Sequence, residues 1–466
     1  MLTRLRVQGF KNLADLTIRF GPFTCFAGHN AVGKSNLFDA IRFLHLLSQK
    51  PIMEAVASLR DARGRAPSPI ELFTRFGNHR EKEMRFTADV LVNRNVTDEF
   101  GVEGKAAIST MRYEVAFRIA ESEGEILELV HESLRPIVQS DARKSLRFPH
   151  SKSFRDSVVR GRRVGDLISM EAGQTIKVHQ EGHGGRKLPA PKSTVTVVNG
   201  MGHSDFPSIL AVKKEMAAWR TLMLEPSAMR SPSSYRDSRQ IDSRGAFLAN
   251  AVYRLQKSER RHGQISAAIS NRLSQLIGDV AEIRVVEDER SETRTLELKG
   301  RDGAFHPAHS LSDGTLRFLV LTVLELDPEV TGLTCLEEPE NGIHPERIGA
   351  IVKLLRDTTV DATEAVGEGN PLRQIIVNTH SPAVVTSVPV NDLVYLGQDR
   401  VIANGASGNV ATAFVPDKSW RAEGIDQPSR LVPGQILAYL GQGRPVEPSE
   451  SEQYVFDWVN ATLKAD

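Results

Sequence analysis

The sequence predicts an α/β fold, a P-loop nucleotide-binding core interrupted by a long insertion. A glycine-rich phosphate-loop pattern at residues 28–36 follows an apolar strand and opens an apolar-periodic helix. Two short apolar runs far downstream, Leu333–Leu336 and Ile375–Val377, are typical of buried parallel strands. Between these parts, residues 49–309 show first β-like and then helical periodicity. We therefore expect one core assembled from both ends of the chain.

Composition limits the classes of protein that remain. The 466 residues are 40% hydrophobic and 25% charged, which excludes a disordered, collagen-like or coiled-coil chain. The formal net charge is +1, so a nucleic-acid surface requires local clustering of basic residues. The two cysteines, Cys25 and Cys335, lie in apolar runs and are expected to be buried and reduced. No secretion signal or membrane-spanning segment is recognisable, which predicts a cytoplasmic protein.

The periodicity along the chain divides it into four parts. We predict an N-terminal lobe of the core at 1–85, an insertion at 86–280, a C-terminal lobe at 281–415 and a tail at 416–466. The lobe begins with two strands ending near Phe10 and Phe20, then a third strand, Phe23–Ala27, and a helix from Gly33.

The insertion is expected to hold strands within 86–134 and helices within 208–224 and 245–278. Residues 141–193 are polar and rich in Gly, Pro and basic residues, which predicts loops. Two strands, Ile283–Val286 and Thr295–Leu298, are expected to return to the core, and the tail is predicted to contain a helix around Tyr454–Leu463.

The phosphate-loop pattern is the strongest motif. Backbone N–H groups of such a loop cradle phosphates at a helix N-terminus, so the pattern predicts an ATP site. The ammonium of Lys34 would reach the β- and γ-phosphates and the hydroxyl of Ser35 would ligate Mg²⁺. The predicted nucleotide-binding residues are Gly28, His29, Asn30, Ala31, Val32, Gly33, Lys34, Ser35 and Asn36.

Two acids end the apolar run at 333–336. A strand end of this kind presents one carboxylate to Mg²⁺ and the next to the attacking water. We assign Glu337 to the metal and Glu338 to water activation. Solvated acids that merely end a strand are the alternative, but their place downstream of a phosphate loop favours a catalytic pair.

Two further motifs are assigned to the nucleotide site mainly because of their order in the chain. Ser312, Asp313 and Gly314 begin an apolar helix 26 residues before Glu338, and such a start can bind phosphate. An ordinary helix cap is the alternative. His380 follows the strand Ile375–Val377 and is predicted to act as a catalytic γ-phosphate sensor.

In this order the motifs resemble those of ATP-binding-cassette ATPases of the RecF/SMC type, and within them the bacterial AAA-annotated ATPases related to the OLD family. The resemblance covers about 1–48 and 305–400. It implies an ABC-type head that dimerises, with ATP held between the phosphate loop of one protomer and Ser312–Gly314 of the other. The motifs that carry it are Leu5–Leu13, Gly28–Asn36, Leu311–Gly314, Glu337–Pro345 and Thr379–Pro382.

The resemblance leaves two functions open. One is a dimeric ATPase switch in bacterial genome maintenance or antiphage defence, acting on DNA or on an effector protein. The other is a nucleotide-gated scaffold that holds a partner toxin or nuclease and hydrolyses little ATP. OLD-family proteins carry a Toprim nuclease after the ATPase. Residues 382–466 contain no Asp-x-Asp pair and no histidine, so we expect any nuclease to be a separate chain.

One local charge excess bears on DNA as a partner. Residues 141–163 contain eight basic residues against two acidic ones, a net +6. Such a segment could follow a nucleic-acid backbone or dock an acidic protein. A solvated loop is an equally good interpretation of the same charges.

Overall fold

The computed structural model describes residues 1–59, 67–120, 126–138, 141, 146–161, 165–172, 174–180, 183–258, 264–278, 280–403, 405–423 and 429–431. The strands of these residues are β1 Leu2–Phe10, β2 Leu13–Arg19, β3 Phe23–Ala27, β4 Arg75–Phe76, β5 His79–Arg80, β6 Glu83–Leu91, β7 Asn95–Thr97, β8 Glu103–Lys105, β9 Thr110–Ile119, β10 Leu127–Pro136, β11 Ile168–Glu171, β12 Thr175–Gln180, β13 His183–Pro189, β14 Arg220–Leu222, β15 Ser233–Ser234, β16 Glu282–Asp288, β17 Thr293–Lys299, β18 Phe305–Pro307, β19 Gly332–Glu337, β20 Arg373–Thr379, β21 Leu393–Ala403, β22 Ala406–Val415 and β23 Ser429–Arg430.

The α-helices within the same residues are α1 Lys34–Leu47, α2 Ile52–Ser58, α3 Lys152–Val158, α4 Val197–Gly200, α5 Pro207–Ala217, α6 Pro226–Arg230, α7 Leu248–Ser258, α8 Gln264–Ile277, α9 Asp313–Leu326, α10 Ile348–Asp357 and α11 Pro382–Thr386. None of these helices is long and apolar enough to cross a lipid bilayer.

Two large sheets organise the fold. The first is antiparallel, with the order β13-β12-β11-β10-β9-β6-β1-β2. The second has the order β14-β19-β20-β3-β21-β22-β23, and its first five strands are parallel. Strand β3 therefore lies in the middle of the second sheet, directly beside β20. This arrangement brings the carboxyl ends of β3, β19 and β20 to one edge, where ligands bind in open α/β sheets.

The second sheet is buried on both faces, and its residues alternate between two cores. Phe26 and Cys335 face the core that contains α1 and the first sheet, whereas Cys25 and Leu336 face the core that contains α9 and α10. Both cysteines are buried and unpaired. Burial on both faces explains why these strands have near-continuous apolar sequences. The prediction of an α/β fold with sheets flanked by helices is confirmed.

Several predicted elements are confirmed at or near their expected positions. Strands β1, β2 and β3 and helix α1 lie where the periodicity placed them, and β9 and β10 form the strands expected within 86–134. The first sheet runs across residue 85, because β6 begins at Glu83 and pairs with both β1 and β9. The expected helix at Tyr454–Leu463 lies outside the described residues.

The prediction of loops over 141–193 is wrong. This region contains helix α3 and strands β11, β12 and β13, which extend the first sheet beyond β10. The strands are short and their buried residues few, with Ile168, Ile176 and Val178 contacting the core. Ile176 and Val178 do alternate with polar residues, but this half-buried strand pattern covers only β12 and stands among polar, Gly- and Pro-rich sequence.

Two smaller expectations also need correction. Helix α5 ends at Ala217, and the rest of the predicted 208–224 helix is strand β14 at the edge of the second sheet. Strands β16 and β17 exist as expected, but they pair with β15 and β18 in a separate small sheet. That sheet packs against α7 and α8 through Ile283, Leu296 and Leu298 rather than joining the central strands.

Candidate functional site

The phosphate loop joins β3 to α1 in a conformation that requires glycine at two positions. Gly28 has a φ of +151°, and a Cβ there would collide with the carbonyl oxygen of Leu396. Gly33 has a φ of +116°, and a Cβ there would lie 2.8 Å from the amide of Asn12. The two glycines therefore fix the loop shape, because any side chain would push the loop away from its neighbours.

Lys34 is buried within this loop. Its side chain is only 7% exposed, and its Nζ donates to the carbonyl oxygens of Gly28 at 2.5 Å and His29 at 2.8 Å. Burial lowers the pKa of Lys34, while the fields of Glu338 and Glu340 oppose that shift. No carboxylate of the described residues lies within ion-pair distance of this ammonium. A buried cation without an anionic partner fits a site for phosphate.

Side chains from distant segments brace the loop from outside. Asn12, in the turn between β1 and β2, donates from Nδ2 to the carbonyl oxygen of Val32 at 3.1 Å. Asn36 donates from Nδ2 to Oδ1 of Asn12 at 2.8 Å, and Gln398 donates to the carbonyl oxygen of Ala31 at 2.7 Å. Sequence reasoning assigned no role to Asn12 or Gln398, since only the fold brings them to residues 28–36.

Glu337 ends β19 beside Asn378 of β20 and is half-buried. Burial raises the pKa of Glu337, and the nearby charges of Asp39 and Glu338 raise it further, against the opposing field of Arg42.

Ser35 is exposed at the start of α1. Carboxylate and hydroxyl oxygens are suitable Mg²⁺ ligands, and the accumulated negative charge fits a cation. The described residues contain no group of three or more His, Cys, Asp or Glu side chains placed to hold a metal. A Mg²⁺ held here would share its coordination with phosphate oxygens.

Glu338 is held tightly at the strand end. Its backbone has a φ of +44°, in the left-handed region that non-glycine residues rarely adopt. Its Oε1 lies 2.8 Å from Nδ1 of His380, and its Oε2 accepts from Nδ2 of Asn341 at 2.7 Å. Both carboxylate oxygens are thus oriented by side-chain partners. The structure brings Glu338 and His380 together, and it adds Asn341, which the sequence did not single out.

A second hydrogen-bonded set fixes the strand end that carries His380. The hydroxyl of Thr379 donates to Oε1 of Glu340 at 2.5 Å, and it accepts from the backbone N–H of Ser381 at 2.9 Å. Asn378 accepts the backbone N–H of Glu338 through its own carbonyl oxygen at 3.0 Å. The two neighbouring strand ends are therefore hydrogen-bonded to each other at the two residues just before His380.

Ser312, Asp313 and Gly314 make their polar contacts at the start of α9 and with Arg230. The Oγ of Ser312 accepts the backbone N–H of Thr315 at 3.2 Å, so this residue caps α9 as an ordinary helix cap does. Ser312 is exposed. Arg230 donates to the carbonyl oxygen of Leu311 at 3.0 Å and pairs with Asp313. Within the described part of the chain, no hydrogen bond or ion pair joins residues 312–314 to residues 28–36.

The basic segment 141–163 lies only partly within the described residues, which exclude Arg143, Lys144, Arg162 and Arg163. Helix α3 packs on the chain through buried Phe154, and the backbone N–H of Ser151 donates to Ala362 at 2.9 Å. Lys152 and Arg160 are exposed on this helix and just after it. The described part of the segment is therefore anchored to the body, with basic side chains at its surface.

Family models match both halves of the chain. Residues 4–182 match a model described as "AAA domain", and residues 213–386 match one described as "AAA domain, putative AbiEii toxin, Type IV TA system". The chain therefore carries AAA-type ATPase domain sequence, and only residues 183–212 separate the two matched ranges. No protein with curated annotation matches the sequence.

Solved structures of SMC heads are similar to the chain at 13% sequence identity. One is an SMC head bound to the C-terminal winged-helix domain of ScpA, with a TM-score of 0.47, covering 88% of this chain and 97% of that chain. The SMC head domain of Thermotoga maritima gives 0.37, covering 88% and 98%. An SMC head with an extended coiled coil, bound to the C-terminal domain of ScpA and derived from Pyrococcus furiosus, gives 0.41, covering 88% and 96%.

Proposed function

We propose that this chain binds Mg²⁺-ATP at residues 28–36 and hydrolyses it to ADP and phosphate. The observation that carries the proposal is the position of Glu338. Its carboxylate is oriented by His380 and Asn341 at the strand edge beside the loop that holds the buried Lys34. A carboxylate held in this way is suited to accept a proton from a water molecule aligned with a terminal phosphate.

Different residues of the chain would bind phosphate, hold Mg²⁺ and activate water. Lys34 compensates phosphate charge with a cation that the protein has already desolvated. Ser35 and Glu337 would hold Mg²⁺, which would neutralise charge on the phosphates of ATP, the source of the transferred phosphoryl group. Glu338 takes the proton from water, and His380 orients Glu338 and senses the γ-phosphate. Gly28–Gly33 provide the backbone N–H groups.

The position of Ser312–Gly314, which we call the signature, supports a composite site in a homodimer. Ser312–Gly314 form an exposed helix N-terminus that makes no hydrogen bond or ion pair with the phosphate loop of the same chain in the described structure. An N-terminus of this kind binds anions. We infer that it completes the ATP site of a second copy, as the resemblance to RecF/SMC/OLD-type heads implies.

A dimer that closes on ATP and opens after hydrolysis is a switch, and we propose that it controls a separate effector. We propose a toxin or nuclease as that effector, since the description of one matching family refers its AAA domain to a toxin–antitoxin system. Antiphage defence and DNA maintenance in bacteria are the settings that the resemblance implies, with DNA as a further candidate partner. The nucleotide-gated scaffold with little hydrolysis is the competing function.

Steady-state ATP turnover with and without Mg²⁺ distinguishes the two. The switch requires Mg²⁺-dependent turnover that falls about 10²- to 10⁴-fold in Glu338→Gln, while ATP binding is kept. Glu346→Gln is the matched control, since Glu346 is an exposed acid eight residues further along the chain. A wild-type protein that binds ATP without turnover would favour the scaffold, and an unchanged rate in Glu338→Gln would remove Glu338 as the base.

A further inference from the structure

Two buried, oppositely charged side chains lie at the turn of residues 339–342 that follows Glu338, Glu340 within the turn and Arg317 beside Gly342. Arg317 is 6% exposed and Glu340 is 8% exposed. Arg317 Nε and Glu340 Oε2 are both buried and have no hydrogen-bond partner within the described residues. An unpartnered buried polar atom costs about 1–3 kcal/mol, so two of them at one turn require an explanation.

Each of the two side chains is anchored at its other end to a different functional element. Arg317 lies on α9, five residues after Ser312, and its Nη2 donates to the carbonyl oxygen of Leu224 at 3.0 Å. Glu340 accepts through Oε1 from Thr379, the residue before His380. One group therefore belongs to the signature helix, and the other belongs to the strand end that carries His380.

The turn of residues 339–342 is in close contact with the start of α9. Gly342 has a φ of +73°, and a Cβ there would lie 3.2 Å from Cβ of Asp313 and 3.9 Å from Nε of Arg317. A Cβ on Gly314 would in turn lie 3.2 Å from the carbonyl oxygen of Gly342. No space separates the helix start from the turn, so a displacement of residues 312–314 must move the turn as well.

We propose that Arg317 and Glu340 are positioning residues that connect the start of α9, at Ser312–Gly314, to the turn of residues 339–342. We call this turn the catalytic turn, because it directly follows Glu338. In this arrangement a ligand at Ser312–Gly314 sets the orientation of Glu338 and His380 in the same chain. The charge of Glu340 acts on the guanidinium of Arg317, although no ion pair joins the two side chains within the described residues. Their unpartnered atoms leave each side chain able to form a closer pair when the helix start shifts. This inference rests on the proposed ATPase activity. It adds a physical connection between Ser312–Gly314 and the catalytic residues Glu338 and His380 of the same chain.

Burial lowers the pKa of Arg317, while the charges of Asp313 and Glu340 oppose that shift. The guanidinium thus interacts with an acid of the signature and an acid of the catalytic turn at once. Because both acids act on the same guanidinium, a displacement of either acid changes the position that Arg317 prefers. Arg317 can therefore pass a movement of one acid on to the other.

A double-mutant cycle on ATP turnover tests the connection. The variants are Arg317→Met, Glu340→Gln and the double variant, with kcat and the ATP dissociation constant measured for each. We expect each single change to lower kcat about tenfold, with the dissociation constant within about twofold of wild type. The double variant should be no slower than the slower single variant, because both changes break one connection.

A second buried arginine provides the matched control. Arg373 is 9% exposed and donates to the carbonyl oxygens of Val330 and Asp327, away from the turn. Its effect, as Arg373→Met, should multiply with that of Glu340→Gln, as independent sites do. If Arg317→Met does not fold, Arg317→Lys takes its place in the cycle. A lysine keeps the charge but removes the guanidinium nitrogen beside Gly342.

The outcomes separate the two proposals. Multiplicative effects of Arg317 and Glu340, equal to those of the control pair, would overturn the connection and reduce both residues to structural roles. Absence of ATP turnover in the wild-type protein would overturn the proposed function itself. Non-additive loss of kcat with binding retained is the result we expect.

Discussion

The phosphate loop and the signature differ in how much of a site each builds alone. The loop is held by side chains from two separate segments, and it contains a buried lysine that pairs with no carboxylate of the described residues. Ser312 is exposed, and its hydroxyl bonds only with Thr315 of its own helix among the described residues. The phosphate loop therefore has the shape and charge of a binding site on its own. Ser312–Gly314 form an exposed helix start that needs further residues to complete a site.

This difference explains how the molecule could use nucleotide to control association. A preorganised loop binds ATP with little ordering cost, so occupancy follows ATP concentration. An exposed helix N-terminus contributes only when a second copy presents a phosphate to it. Binding and closure would therefore be separate events, and the predictions below test that separation from the largest expected effect to the smallest.

Lys34→Ala should have the largest effect, because it removes the cation at the centre of the organised region. We expect ATP affinity to fall at least about 100-fold, the loss typical of a buried charge that pairs with phosphate. Equilibrium binding of a fluorescent ATP analogue measures this directly. Lys353→Ala is the control and should bind as wild type, since Lys353 is 69% exposed and, among the described residues, pairs with Asp357 alone. Equal affinity in both variants would contradict the assignment of the loop.

Ser312→Arg should separate the two regions most clearly. The variant retains an intact phosphate loop, so its ATP affinity should stay within about threefold of wild type. Its turnover should fall at least about tenfold, because the bulky side chain blocks the exposed helix start that a second copy needs. Binding assays and turnover on the same preparation provide the comparison. Full turnover in Ser312→Arg would mean that the signature takes no part in the site.

Asn12→Ala should weaken the bracing of the loop without removing any ligand-binding group. It deletes the hydrogen bonds to Val32 and Asn36, each worth about 0.5–1.5 kcal/mol. The ATP dissociation constant should rise several-fold, far less than in Lys34→Ala. Asn93→Ala makes a suitable comparison, because Asn93 is exposed and its side chain accepts from the backbone N–H of Asn95, two residues along the chain. An unchanged dissociation constant in Asn12→Ala would show that the loop keeps its shape without this support.

Glu132→Gln should affect stability and leave both halves of the nucleotide site unchanged. Glu132 is fully buried and accepts from the backbone N–H groups of Val197 and Val198 and from the hydroxyl of Tyr113. Burial raises the pKa of Glu132 from its ordinary value of 4.5 to about 7, and these hydrogen bonds oppose that shift.

The folded state therefore holds this proton more strongly than the unfolded state does. The free energy of unfolding that Glu132 contributes is greatest below pH 4.5 and decreases as the pH rises to about 7. Urea unfolding across pH 4–8 should show this slope in the wild-type protein and a flatter one in Glu132→Gln. Identical slopes would mean that the carboxyl does not titrate in this interval.

The sequence predicted those helices and strands in which burial of one or both faces requires apolar residues at a regular spacing. Strand β3 and helix α1 are clear because their apolar residues recur at fixed spacing and glycines mark the loop between them. Strands β11–β13 escaped prediction because edge pairing needs few apolar residues. A similar limit applied to the site. Lys34 and Glu338 lie in contiguous motifs, whereas Asn12, Gln398 and the pair Arg317 and Glu340 act through neighbours that only the folded chain provides.

The most direct test of the composite site is a mixture of two inactive proteins. Lys34→Ala should lack turnover because it cannot hold ATP, and Ser312→Arg should lack it because it cannot complete a partner's site. In a mixed dimer, the intact loop of the Ser312→Arg protomer meets the intact signature of the Lys34→Ala protomer. One working site per mixed dimer should restore at most about a quarter of the wild-type turnover in an equimolar mixture. A mixture that remains as inactive as its components would contradict a site shared between two chains.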